Sequence, residues 1–130
     1  MRYALLIYET PEHFEFRLKD SEEERAPEYG WGPWQAYYKA LVDAGVYVGG
    51  TPLQHFTTGT TVRIRGGQRQ VQDGPYAATK EHLGGLILLE LSSLDEALDW
   101  AARCPVASTG VIEVRPVSDE VLQKVTGGNG

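Results

Sequence analysis

Residues 2–8 and 86–91 are each apolar on both alternating faces, and this feature most constrains how the chain can fold. In the first stretch Tyr3, Leu5 and Ile7 share one face, with Ala4, Leu6 and Tyr8 on the other. In the second stretch only Glu90 interrupts the apolar run. Such strands must be covered on both sides.

Two helices are legible around them. The first begins near Gly32-Pro33, since proline suits a first helical turn. Trp34, Tyr37, Tyr38, Leu41 and Val42 then follow the spacing of one buried face, and Gly45 ends the helix. The second opens on Ser93-Leu94-Asp95-Glu96, a capping box. Its expected buried stripe is Leu94, Ala97, Leu98, Ala101 and Cys104, and Pro105 stops it.

Residues 46–48 start a further strand, before Gly49-Gly50-Thr51-Pro52 imposes a turn or bulge. Residues 60–65 and 68–72 read as a hairpin about Gly66-Gly67. Residues 111–115 form the last strand, with Ile112 and Val114 inward. Residues 118–125 add loose helical turns, and 126–130 fray. Residues 11–30 lack clean periodicity, although Ser21-Glu22-Glu23-Glu24 offers one capped turn.

The resulting order, β-α-β-hairpin-β-α-β, predicts an α+β fold of ferredoxin-like, split βαβ type with an inserted β-hairpin. Right-handed crossovers put both helices on one sheet face. The other apolar face then needs a cover, and the economical one is the sheet of a second copy, so a homodimer is expected. The domain is expected to span residues 1–117, with 118–130 as a C-terminal extension.

Charge narrows the function classes. The 130 residues suit one domain, and 12 basic against 18 acidic side chains leave a net charge of −6. That balance argues against nucleic-acid and anionic-membrane partners. Residues 9–30 hold eight acids and three bases, whereas Arg63, Arg65 and Arg69 make the hairpin basic. The basic hairpin is either a solvated face or an attractor for an anionic molecule or another subunit's acidic segment. A lone Cys104 excludes an intrachain disulfide and any Cys-rich metal site. With neither a membrane-length apolar run nor a secretory leader, a cytoplasmic location is expected.

The ordered motifs YALLIY (3–8), LVDAGVYVGGTPLQ (41–54), TTVRIR (60–65), DGPYAATKEHLGG (73–85), DEALDWAARCP (95–105) and IEVRPV (112–117) resemble the YCII-related superfamily, specifically its DGPF-domain branch. The resemblance runs from Arg2 to Val117 and implies a dimeric α/β-barrel fold. Tyr76 stands where the branch has its signature phenylalanine, and Ala78 where an acid is common. The His–Asp pair of classical members is not carried over, because no histidine lies near the first long helix.

Several residues are candidates for chemistry. Asp73 is either a turn-capping residue or a carboxylate base at a pocket mouth. In Thr79-Lys80-Glu81-His82, Lys80 could anchor an anion and Glu81 carry a proton, or the pair could be a surface ion pair. His55 is an exposed loop residue or, if it faces a pocket, an acid/base, because imidazole titrates near neutrality. Tyr8, Trp31 and Tyr76 supply aromatic walls, with Trp31 just outside the helix core. Arg115, beside Glu113, pairs across the sheet or polarises the cleft.

The histidines lack metal-ligand spacing, and no glycine doublet makes a phosphate loop, so neither metal nor cofactor is expected. Two functions follow: a cofactor-free acid/base enzyme (lyase, isomerase or dehalogenase type) acting on a small anionic or aromatic compound, or a non-catalytic ligand-binding or regulatory dimer. In either case the expected site is a cleft bordered by residues 73–82, residues 49–56, and Trp31 or Tyr8.

Overall fold

A computed structural model of the chain describes residues 1–16, 31–77 and 79–127. Its elements run β1 (Arg2–Glu9), α1 (Pro11–Phe16), α2 (Trp31–Asp43), β2 (Tyr47–Pro52), β3 (Thr60–Arg65), β4 (Gln68–Asp73), β5 (His82–Glu90), α3 (Leu94–Arg103), β6 (Val111–Pro116) and α4 (Asp119–Val125). The turn expected at Ser21 lies outside the described residues.

Strands pair in the order β2-β5-β1-β6, all antiparallel, while β3 and β4 pair only with each other. This is the ferredoxin-like split βαβ, with the hairpin inserted between β2 and β5. The two doubly apolar strands, β1 and β5, are its central pair. Tyr3, Leu5, Ile7, Ile87 and Leu89 pack beneath Tyr37 and Leu41 of α2 and Ala97 and Ala101 of α3. On the opposite face Ala4, Leu6, Tyr8, Leu86 and Leu88 are half-buried.

The ends of the helices follow local chemistry. Gly45, at φ 71°, closes α2: its amide donates to the Val42 carbonyl and the Val46 amide to that of Leu41. Ser93 Oγ accepts the Glu96 amide at 3.2 Å. The Glu96 carboxylate reaches back not to Ser93 but to Ser92, whose hydroxyl lies 2.6 Å away, and that hydrogen bond lowers its pKa. Replacing Ser93 by alanine should cost about 1 kcal/mol, read as a shift in the urea midpoint.

Some expectations need correction. Leu94 and Leu98 are each 48% exposed. The stripe of α3 is centred on Ala97, Ala101 and Cys104, with Trp100 filling one flank, so the leucines turn out along the other. Val42 is likewise exposed, beyond the edge of the Tyr37–Leu41 stripe. β2 continues through the glycines to Pro52, with a bulge between Tyr47 and Gly49, and β5 begins early at His82. The unexpected element is the helix α1: Thr10 Oγ1 accepts the His13 amide at 3.2 Å, and Pro11 sits in its first turn.

The core also fixes two titrations. Burial pushes the Cys104 thiol from its ordinary value near 9 up to about 11, against a backbone hydrogen bond at Val106 and with a further push from Glu9. Burial likewise raises the Tyr37 phenol, whose hydroxyl donates to the Trp100 carbonyl at 2.7 Å. Both groups titrate higher folded than unfolded. The Cys104 contribution is therefore complete below about pH 9 and declines as the pH rises toward about 11, while that of Tyr37 declines only above its ordinary value of 10.0. Urea midpoints should fall across that window, and iodoacetamide at pH 8 should label Cys104 only as the chain unfolds.

Candidate active site

At the end of the sheet where β1 stops and β5 begins, a cavity of about 490 Å3 opens between the segment after β2 and the segment entering β5. The sequence makes this end irregular. A register shift between Ile7 and Tyr8 moves the pairing from Gly85 to Leu83, so Tyr8 faces Leu83 and Glu9 faces His82. Gly85 and Gly50 are needed beside it. A Cβ on Gly85 would stand 2.8 Å from the Thr51 carbonyl oxygen, and one on Gly50 2.6 Å from that of Leu86.

The inner wall is a stack of rings. Phe56 and His82 lie nearly parallel, 8° apart, with centroids 3.7 Å apart. His55 stacks on Phe56 at 4.4 Å, and Phe14 of α1 meets both edge-on. His55 is fixed by two more contacts: Nε2 lies 2.9 Å from Glu15 Oε1, and Nδ1 lies 2.8 Å from Thr57 Oγ1. Nδ1 also accepts the Thr57 amide, capping the single helical turn Phe56–Thr58. An acceptor at Nδ1 puts the proton on Nε2, which donates it to Glu15. Among the described residues, neither ring nitrogen of His82 takes part in a hydrogen bond, and the ring borders the cavity.

Four of the eight candidates meet here: Tyr8, His55, Tyr76 and Glu81 all line the cavity. Tyr76 is 77% exposed at the mouth, with the Arg63 guanidinium 5.1 Å from its ring centre. The other four stand elsewhere. Asp73 ends β4 opposite Thr60, exposed and outside the lining. Lys80 is exposed between Thr79 and Glu81, which do line the cavity. Trp31, at the start of α2, borders a second, smaller cavity. Arg115 is exposed on β6, 3.7 Å from Glu113.

Sequence reasoning passed over Phe56, Glu15 and the placement of His82. An aromatic residue between a histidine and a turn gives no periodic signal. The His55–Glu15 contact joins residues 40 apart. Among the described residues, no cluster of three or more His, Cys, Asp or Glu side chains could hold a metal ion. None of their helices is long and apolar enough to cross a membrane.

The fold has a solved counterpart in 5-chloro-2-hydroxyhydroquinone dehydrochlorinase from Burkholderia phenoliruptrix AC1100, determined in complex with 2,5-dihydroxybenzoquinone. The similarity has a TM-score of 0.50 at 16% identity and covers 91% of this chain and 94% of that one. An uncharacterised protein of Rhizobium meliloti (strain 1021), R00369, is 38% identical over 120 residues, covering 91% of this chain and 93% of that protein. The YCII-related domain matches residues 1–121. Close sequence kinship and a family match along nearly the whole length agree: the chain belongs to the YCII-related family.

Proposed function

We propose that this protein binds a small, planar, anionic aromatic or quinone-like compound in the larger cavity and moves a proton on it without a cofactor. The observation that carries this reading is the Phe56–His82 stack beside Glu81 in one cavity. Stacked rings offer a planar ligand a flat apolar wall. An imidazole and a carboxylate in the same lining supply two proton carriers, as lyase, isomerase or dehalogenase chemistry requires. His82 takes the proton, Glu81 returns one, and the Glu15-bound His55 holds the wall in place. Lys80, flanked by two lining residues, serves as the rim cation for the anionic group. The dehydrochlorinase of the same fold, solved with a dihydroxybenzoquinone, supports this ligand class.

The proposed working form is a cytoplasmic homodimer, its sheets packed through Ala4, Leu6, Leu86 and Leu88. Removing apolar surface from water at roughly 25 cal/mol per Å2 favours this association. Analytical ultracentrifugation at micromolar concentration should give a species of twice the 14.4 kDa chain mass. A persistent monomer contradicts the dimer.

Titrating the protein with 2,5-dihydroxybenzoquinone, followed by NMR, tests the site. Saturable shifts should centre on Phe56, Tyr76 and His82, and Glu81→Gln should leave them while slowing any turnover. Binding without turnover of any compound in the class leaves a ligand-binding dimer. Shifts located elsewhere reject the cavity.

A further inference from the structure

The β3–β4 hairpin has two faces of different chemistry. Directly opposed residues of an antiparallel pair share a face. The pairs Thr61–Gln72, Arg63–Gln70 and Arg65–Gln68 therefore gather one hydroxyl, two guanidiniums and three amides on one side. Val62, Ile64, Arg69 and Val71 stand on the other. Every side chain of the first face can donate a hydrogen bond, and none is a carboxylate. Among the described residues, no carboxylate lies within ion-pair distance of Arg63, Arg65 or Arg69. Residues 60–72 hold these three arginines and no acid, in a chain of net charge −6. The face is a local attractor for anions.

It is also joined to the larger cavity. Gly74, at φ 98°, turns the chain after β4. Its amide donates to the Gly59 carbonyl at 2.7 Å, and Thr61 Oγ1 donates to its carbonyl at 2.9 Å. These bonds tie the turn to the base of the hairpin. Tyr76, two residues on, then borders both the cavity and a groove along β3 that holds Arg63 and Arg65.

The Arg63 guanidinium sits over the Tyr76 ring, 5.1 Å from its centre. Stacking occupies the flat face of a guanidinium and leaves the N–H donors at its edge available. It also restrains a long side chain before any ligand arrives, which lowers the entropy lost on binding. Arg65 spends one Nη1 donor on the Ile64 carbonyl at 2.9 Å and keeps the rest. Two cations on a short face suit one oxyanion rather than a run of phosphates. A carboxylate matches the fork of an arginine.

We propose that the ligand of the larger cavity is an aromatic compound with an anionic side arm, whose carboxylate is held past Tyr76 by Arg63 and Arg65. This rests on the aromatic-ligand reading of that cavity and adds the position of a second charge.

The test titrates the full chain calorimetrically, at low ionic strength, with 3-(4-hydroxyphenyl)propanoate and with its primary amide. The two compounds match in size and differ in charge. The acid should bind about three- to tenfold more tightly than the amide, the range of an exposed ion pair. Arg63→Gln combined with Arg65→Gln should abolish that advantage and leave amide binding unchanged. Arg69→Gln removes one charge from the opposite face and should preserve the advantage. Equal affinity of acid and amide for the unaltered chain overturns the proposal while leaving the aromatic site intact. An advantage that survives the loss of Arg63 and Arg65 also overturns it, placing the carboxylate at another cation. So does an advantage that Arg69→Gln removes as fully, since a general field then replaces a site. Binding of neither compound overturns this proposal and the aromatic-ligand reading together.

Discussion

Replacing Gly110 by alanine should destabilise the protein by about 3 kcal/mol, the upper part of the range for an overpacked interior. Gly110 precedes β6, and its amide donates to the Val106 carbonyl at 2.7 Å. A Cβ at this position would collide with the Tyr8 carbonyl oxygen, with Val106 O also within 3.4 Å. Both obstacles are backbone, so no side chain can rotate away. Relief requires β6 to separate from β1 next to Tyr8, which lines the larger cavity. The same substitution at Gly49 is the control, because a Cβ there meets nothing within 4 Å. Urea denaturation should show a large loss for Gly110→Ala and a change below about 0.5 kcal/mol for Gly49→Ala. Equal effects would mean that β6 is not held against Tyr8 as described.

The contrast between those two glycines also marks where sequence reading succeeds. Apolar alternation exposed β1 and β5 as the central pair, because burial on both faces leaves a pattern in one strand alone. Caps likewise act within four residues, so Ser93 and Gly45 were legible. What defeated local reading was contact between distant segments. Leu98 looks like core by spacing, yet the turn of α3 onto the sheet is set by which small residues permit close approach, and Ala97 and Ala101 win. α1 was signalled by Thr10-Pro11, but that pair also reads as the end of a strand. In the site, the motif Thr79-Lys80-Glu81-His82 drew attention for its charges, whereas the structure puts Glu81 and His82 in the lining and Lys80 outside it. Strand alternation gives no clue to this, since β5 begins only at His82 and the segment before it, not a strand register, brings Glu81 to the same cavity.

Replacing His82 by phenylalanine should lower kcat/KM by about 10²–10⁴ for any compound the protein turns over, the usual contribution of a positioned acid or base. Phenylalanine keeps a flat ring against Phe56, where the native centroids are 3.7 Å apart, and it suits a strand. It removes both nitrogens and nothing else of comparable size. The melting temperature should therefore change little, and binding of 2,5-dihydroxybenzoquinone should persist within a few-fold. His82→Ala separates the two roles further. It removes the ring as well, so stability and ligand affinity should both fall, by about 1 kcal/mol for the lost stacking contact. Loss of turnover in His82→Phe with binding retained identifies His82 as a proton carrier. Undiminished turnover in His82→Phe, with losses confined to His82→Ala, reduces it to a stacking element and removes the base from the proposed chemistry.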